Sequence, residues 1–536
     1  MSGTIKTGLK NNLYMVTDKK LNANGFQLYT QLTATKAAQS KDPKGQLINV
    51  AGVGRLVSAA YEQLRNAAEY AQEHLLIQKA IRRFFVRSVS LHNHAVINKS
   101  IAEELIIELT QSGYLKNNTQ PVEIVDKLFK VIDGHYENYW RLKASGIDER
   151  IARDWTLDLL SLESEEMLLE DKVQTIILQF AFHHYRSILN KKMFESTSFE
   201  NEDFEVCLYV AVHRSLLKSG LATVRYDMQK LYKTSSANIN EYADFHKKID
   251  ETFSSEGTNK ITLYINKYGA PLRILRSMIL DDNKAEGSLV DNKRFGRAYL
   301  DQIKLEYKKA GRKLNKGLIK SIIFLIITKT LVGLAIEVPY DLAITGAVMI
   351  VPLVINLLSP IVYLAVLRLG FKLPGSTNSK AMQLYADEML YGDQNQTNLY
   401  PTMKTKKYPI GFSIAYVLMF LIVFAFVANM LMILGFNIVN GLIFFTFLAT
   451  ASFLGFRLSR IVRELELVSV KQGALSTIRE LLFTPFTFLG KWISDKYQKI
   501  NIVALVLDTL IELPLKTSLR LIRQWTGFLS DKTDQF

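Results

Sequence analysis

A lysine inside an apolar segment is the residue of this chain best placed to do chemistry. Lys329 stands in a run of Ile, Leu, Val and Phe that begins near Leu318. A charge at the centre of a bilayer costs about 2.5–3.5 kcal/mol and usually faces protein or water. Such a lysine is typical of an anion, proton or substrate site in a transport path. A lysine that snorkels to the surface or hydrogen-bonds to a neighbouring helix gives the same sequence.

Two polar residues in the next apolar run complete a candidate intramembrane polar site with Lys329. Asn356 and Ser359 stand between Pro352 and Pro360. Interrupted helices line substrate sites in transporters, although proline also occurs in ordinary membrane helices, which it only bends. Both interpretations remain open from the sequence.

Two carboxylates stand between the apolar runs. Glu337 and Asp341 bracket Pro339. A short connection with two acids and a proline is typical of a turn in water, so we expect these residues at an exposed hairpin tip.

Catalytic motifs are missing from the chain. It contains no H-E-x-x-H, Walker A, G-x-G-x-x-G or G-x-S-x-G sequence. Its single cysteine, Cys207, excludes an intrachain disulfide and is expected to be buried. We therefore predict no catalytic residues, no metal site and no cofactor, and an enzyme is the less favoured class.

Two apolar regions predict four membrane passes. The stretch between Lys407 and Arg457 holds 49 residues without a charge, and one pass needs only about 20. A turn is predicted at Gly435–Asn437, near its middle. The predicted passes are Leu318–Val338, Leu342–Leu367, Ile410–Leu434 and Ile438–Phe456.

The flanking charges predict one orientation. Seven Lys and Arg residues lie between 304 and 320, and others lie between passes two and three and after pass four, whereas the two remaining connections are acidic or neutral. Cytoplasmic connections carry the excess of Lys and Arg. We therefore expect a multi-pass protein of the cell inner (plasma) membrane with both termini in the cytoplasm.

Helical periodicity dominates the rest of the chain, and period-two alternation is scarce. The predicted fold is all-α: a cytoplasmic helical domain, a four-helix transmembrane region of two hairpins, and C-terminal amphipathic helices. The predicted segments are a loosely ordered basic arm (1–45), an all-helical domain (46–310), hairpin 1 (318–369), a cytoplasmic loop (370–407), hairpin 2 (408–457) and amphipathic or interfacial helices (458–536).

Basic residues beside apolar runs indicate a membrane surface rather than a nucleic acid, although the net charge is +15. Aromatic residues and leucines on one helix face with Lys and Arg on another are typical of an interfacial helix. The alternative is that the C-terminal helices pack on the N-terminal domain. The candidate contacts to an anionic inner leaflet are Lys308, Lys309, Arg312, Lys313, Lys316, Lys516, Arg520, Arg523 and Trp525.

The segments Thr328–Leu331 and Glu337–Leu342 resemble the first hairpin of uncharacterised multi-pass membrane proteins of candidate-phylum bacteria, and the Tyr61–Arg83 helix is similar to theirs. The resemblance implies a bacterial inner-membrane setting and no particular activity.

Three functions fit the sequence. The first is a non-enzymatic, membrane-anchored scaffold or interaction module with a protein partner or a second copy of itself. The second is an oligomeric transporter or channel component that uses Lys329 and the proline-broken second pass. The third is a lipid-acting enzyme at the cytoplasmic interface.

Overall fold

The structure, a computed structural model, is helical. It describes residues 20–39, 45–50, 55–68, 75–89, 97–169, 172–194, 199, 203–281, 285–392, 409–468, 483–493, 514–518, 521–522 and 525. These residues contain no β-strand, only an isolated bridge between Leu47 and Pro121. The all-α prediction is confirmed, because the described elements are helices. A helical N-terminal region precedes four candidate membrane-spanning helices.

The helices follow one another with short connections. They are α1 (Ala23–Gln39), α2 (Arg55–Ala68), α3 (Leu76–Ser88), α4 (Ser100–Gln111), α5 (Ile124–Ala144), α6 (Glu149–Leu169), α7 (Val173–Ile188), α8 (Phe204–Val212), α9 (Leu221–Tyr232), α10 (Ile239–Ser254), α11 (Glu256–Tyr268), α12 (Ala270–Asp281), α13 (Ala285–Leu289), α14 (Asn292–Val332), α15 (Val338–Thr345), α16 (Ile350–Gly370), α17 (Ser376–Tyr391), α18 (Ile410–Ile433) and α19 (Ile438–Arg463). A 3-10 turn (Lys191–Met193) and two π turns (His213–Leu217 and Gly333–Glu337) lie between them, and residues 483–493 and 514–518 are also helical.

The first apolar core lies among α3, α4, α5 and α6. On α5, Leu128, Ile132 and Tyr139 recur at helical spacing and are fully buried. This stripe faces α6, where Trp155 is buried in the same core. Amphipathic periodicity therefore explains this part of the fold.

The second apolar core extends from α7 and α8 to α11, α12, α14 and α17. The first half of α14 contributes Phe295, Tyr299 and Ile303, which are spaced by four residues and fully buried. From α17 come Met382 and Leu390, which are also fully buried. Helix α14 is thus a central element of the helical domain before it becomes a candidate membrane span.

Two segments that were predicted to lie outside the helical domain complete its second core. Helix α1, within the predicted loose arm, buries Leu28 and Leu32 beside α7. Helix α17, within the predicted loop 370–407, packs on α1, α12 and α14. Asn22 joins the two by donating from Nδ2 to the carbonyl oxygen of Met389 at 3.0 Å. Their apolar faces are short, and only the fold brings them to a common core.

The four candidate spans form an apolar bundle, defined here as residues 317–370, 409–463 and the helix 483–493. The first span runs without a break from the helical domain through α14, the π turn and α15. Only 6% of the apolar stretch of α18 is buried by the rest of the structure, whereas 22–33% is buried in the other three spans. Apolar surface of this extent is exposed in proteins that contact lipid or a partner.

The first turn of the bundle lies beyond its predicted position. The expected turn at Glu337–Asp341 is helical, and the chain reverses only after Thr345, where Gly346 has a φ of +71°. Pro339 stands in the first turn of α15, directly after the π turn, where a missing N–H is tolerated. The second turn lies between α18 and α19, where Gly435–Asn437 predicted it.

The helix 483–493 packs one face against the bundle, and its other face, with Phe488 and Trp492, is exposed. Its Phe486 ring lies 5.1 Å from Phe424 of α18 and 6.2 Å from Phe445 of α19. Its Phe483 ring lies 4.7 Å from Tyr363 of α16. A Cβ at Gly490 would lie 2.1 Å from a carbonyl oxygen of α19, so only glycine permits this approach. This part of 458–536 therefore packs against three of the candidate-span helices, α16, α18 and α19.

The buried side chain of Asn378 clamps the helical domain to the segment that follows α19. Asn378 of α17 donates to Tyr307 Oη and to the carbonyl oxygen of Leu465, at 2.9 and 2.8 Å. Its Oδ1 accepts from the backbone N–H groups of Leu467 and Val468, at 2.8 and 2.9 Å. One side chain thus satisfies three backbone groups after the last span.

Replacement of Asn378 by alanine tests this clamp. Asn378→Ala leaves those partly buried backbone groups without their side-chain partner, so we expect the free energy of unfolding of the full chain in detergent to fall by about 1–3 kcal/mol. The matched control is Ser379→Ala, because the Ser379 hydroxyl makes only 3.4 Å contacts. Equal stabilities of the two variants, measured by thermal unfolding, would contradict the clamp.

Candidate functional site

Lys329 points into the apolar bundle and is only 2% exposed. Its Nζ donates to Oε1 of Glu337 at 2.7 Å and lies 4.7 Å from the centroid of the Phe447 ring on α19. The lysine therefore does not snorkel to a surface. A buried ion pair of this kind requires close geometry and further hydrogen bonds to its charged groups.

A π turn aligns this ion pair. Lys329 and Glu337 are eight residues apart, which would place them about 80° apart around an undistorted α-helix. The π turn Gly333–Glu337 adds one residue to the helix. The pair is then aligned like residues seven apart, within about 20°. Single π turns are frequent at functional sites.

Asn356 of α16 extends the site across the bundle. Its Nδ2 donates to the same Oε1 of Glu337 at 2.7 Å and to the carbonyl oxygen of Asn440 at 3.2 Å. The structure thus brings Lys329 and Asn356 together through Glu337. Ser359, the third predicted residue, is half-buried and makes no hydrogen bond to these groups.

Asp341 extends the site to the end of the bundle where the two turns lie. Its Oδ1 accepts from Nδ2 of Asn437 and of Asn440, at 2.8 and 3.1 Å. Its Oδ2 accepts from the backbone N–H of Met349 at 3.2 Å. The carboxylate therefore ties α15 to the first turn and to the start of α19.

These groups form one buried polar network, which consists of Lys329, Glu337, Asp341, Asn356, Asn437 and Asn440. Lys329 and Asp341 are 12 residues apart, so the network extends about 18 Å along the helix. Three elements supply it, namely the first span, α16 and α19. It connects the interior of the bundle to its turn end.

The prediction that Glu337 and Asp341 lie at an exposed hairpin tip is wrong, because each is 1% exposed. Burial recurs every four residues, at Leu325, Lys329, Gly333, Glu337 and Asp341. A spacing of four drifts by about 40° per step on an α-helix, and the π turn corrects part of the drift. This regular spacing was the sequence signal that one continuous helix face includes both acids.

The basic residues predicted to contact lipid lie on α14 between the helical domain and the bundle. Lys308, Arg312, Lys313 and Lys316 are exposed. Lys309 is also exposed, but it pairs with Asp281 and with Glu306, the latter at 2.9 Å. Four of the five α14 cations are therefore placed to meet a charged surface.

Lys516 lies elsewhere than predicted. It is 9% exposed, and its Nζ lies 3.3 Å from Glu108 Oε1 and 3.6 Å from Glu62 Oε1. It also donates to Ser58 and Ser112. Two partly or fully buried carboxylates attract a lysine more strongly than a screened lipid surface does. At this residue the C-terminal chain packs on the N-terminal domain.

The other predicted C-terminal contacts are only partly described. Trp525 is 63% exposed, and Arg520 and Arg523 lie outside the described residues.

A serine, a histidine and an aspartate lie close together in the helical domain. Nδ1 of His213 is 3.4 Å from Ser219 Oγ, and its Nε2 is 3.6 Å from Asp227. Burial lowers the pKa of His213 to about 3 and raises the pKa of Asp227 to about 7. A histidine with such a low pKa is a poor general base, and both contacts are long, so the group does not suit nucleophilic catalysis.

No set of three or more His, Cys, Asp or Glu side chains suited to a metal ion occurs in the described part of the chain. No family model, curated protein or solved structure matches the chain.

A double-mutant cycle tests the buried ion pair. Lys329→Met leaves Glu337 unpaired, Glu337→Gln leaves the ammonium unpaired, and each should lower the free energy of unfolding by about 3–5 kcal/mol. The double variant removes both charges, so its loss should be smaller than the sum of the two. Additive losses, measured by thermal unfolding in detergent, would mean that the two groups do not interact.

Proposed function

We propose that this protein is an oligomeric transporter or channel component whose apolar bundle binds and passes a small ion. The observation that carries the proposal is the buried polar network, with Lys329, Glu337 and Asp341 inside a bundle of candidate membrane spans. Charged residues within membrane segments mark ion pathways and proton relays more often than they serve an anchor.

The energetics favour this function over a simple anchor. An anchor needs only apolar helices, and α18 is one, without a single charged residue. Each buried charge in the first span costs about 2.5–3.5 kcal/mol before it is paired. A structural pair can also set helix register, but it does not require a second carboxylate, Asp341, or a route to the turn end.

The helix 483–493 adds aromatic contacts to the same bundle, because its Phe486 lies against Phe424 of α18 and Phe445 of α19. Four spans make a thin path alone, so a second copy is expected to complete it, with the exposed face of α18 as the contact.

The proposed setting is a bacterial inner membrane, with the helical domain and both termini in the cytoplasm. The exposed basic residues of α14 then lie at an anionic leaflet, where each adds on the order of 1 kcal/mol of attraction. The two turns, at 346–349 and 435–437, carry no charge and face outward, in agreement with the positive-inside rule.

Cysteine labelling tests this orientation. Ala347→Cys places an exposed thiol in the first turn, and Lys313→Cys places one at the opposite end of the first span. A membrane-impermeant maleimide added to spheroplasts should label the first variant and should label the second only after permeabilisation. Cys207 is buried, so its background is low. The reverse pattern would overturn the orientation.

Ion flux tests the function. The full chain in liposomes should take up ²²Na⁺ or ⁸⁶Rb⁺ faster than liposomes without protein. Asn356→Leu removes the link between Glu337 and Asn440 and should slow uptake at least tenfold. The control is Thr446→Ala on α19, whose hydroxyl bonds only to its own helix.

Uptake no faster than through protein-free liposomes, by a protein that remains folded, would contradict the proposal. It would favour the second candidate, a membrane-anchored scaffold. The observation behind the scaffold is that α14 belongs to both the helical domain and the bundle, so the domain is held rigidly at the membrane. A partner search needs the full chain, because residues 46–310 lack α1 and α17.

A further inference from the structure

The charges of the buried polar network do not balance. By formal charge, Lys329 contributes one positive charge and Glu337 and Asp341 contribute two negative charges, so the network has a formal charge of −1. No other charged side chain among the described residues pairs with them. Because a low-dielectric interior strongly disfavours an uncompensated charge, the network calls for one further positive charge.

The same network contains three oxygen atoms without hydrogen-bond partners among the described residues. They are Oε2 of Glu337, Oδ1 of Asn356 and Oδ1 of Asn440. Each belongs to a residue that is only 1% exposed. Nearly all buried acceptors are satisfied in folded proteins, and an unmatched group often indicates a bound water or ion.

We propose that the buried polar network holds one small monovalent metal cation, with these three oxygens as ligands. A water molecule would satisfy the oxygens but not the charge. A proton on Oε2 of Glu337 would balance the charge and could donate to one amide oxygen, but it would leave the other amide oxygen without a partner. A divalent ion would leave one positive charge in excess. Carboxylate and amide oxygens are suitable ligands for hard cations.

The hydrogen bonds assign different tasks to the two carboxylates. Both oxygens of Asp341 already accept hydrogen bonds, so this residue supplies charge rather than a ligand. Glu337 uses Oε1 for Lys329 and Asn356, which leaves Oε2 for the ion. Asn356 contacts both Glu337 and Asn440, so the three ligand residues are direct neighbours.

The position of Asp341 indicates how the cation enters. Asp341 and Asn437 lie beside the two turns at the end of the bundle. A cation attracted to this carboxylate has the Asn440 amide next to it and Glu337 further inward. The inference rests on the proposed function, because it names the substrate class as a monovalent cation, but binding can be measured without flux.

Equilibrium binding of ²²Na⁺ to the purified full chain in detergent, with choline as the balancing ion, tests the inference. We expect saturable binding of about one ion per chain and competition by unlabelled Na⁺ or K⁺. Glu337→Gln and Asp341→Asn each bring the network to zero net charge and should weaken binding at least tenfold. Lys329→Gln leaves two negative charges and should strengthen it. Thr446→Ala should bind like the unaltered protein.

A second test compares the thermal unfolding of each variant in Na⁺ with its unfolding in choline. This comparison is valid even for a variant that is less stable than the unaltered protein. A ligand that binds only the folded state raises the unfolding midpoint, so Na⁺ should stabilise the unaltered protein and Lys329→Gln but not Asp341→Asn. Absence of ²²Na⁺ binding by folded protein, or stabilisation by low pH alone, would overturn the cation site. Binding without flux would reject the transport proposal only, and flux without binding would reject this inference only.

Discussion

The ion pair of Lys329 and Glu337 constrains the rest of the apolar bundle. Its two side chains are almost fully buried, so protein groups or a bound ion must compensate each charge. The π turn brings the two side chains onto one face, α16 supplies Asn356, and α19 supplies Phe447 and Asn440. The register of three helices is therefore tied to one charge pair.

Close helix packing lets these groups meet. A Cβ at Gly455 of α19 would lie 2.4 Å from Leu367 of α16, and one at Gly317 of α14 would lie 2.6 Å from Leu458 of α19. Small residues at such positions allow helices in a membrane to approach. The first span, α16 and α19 consequently form the packed part of the bundle, and α18 remains at its periphery.

The bundle and the helical domain are coupled through shared elements. Helix α14 begins in the second core and continues as the first span. The end of α19 is held by Arg273, which donates twice to the carbonyl oxygen of Glu464, at 3.1 and 2.8 Å. Motion of these two spans would therefore be transmitted to the domain. Such coupling suits both a transport protein and a rigid scaffold.

The sequence by itself determined the elements whose signals are local. Helical periodicity predicted the all-α class, apolar length predicted four spans, and Gly435–Asn437 predicted the second turn, because each depends on neighbouring residues. It also singled out Lys329, since a lysine in an apolar run is costly wherever the fold places it.

Only the tertiary structure decided the partners. Glu337 and Asp341 looked like turn residues until the π turn continued the helix through them. Helices α1 and α17 looked peripheral, and Lys516 looked like a lipid contact, until distant chain segments covered them. The reason is that burial and charge pairing depend on groups that are far apart in sequence. Local spacing does not indicate which of these groups will be in contact.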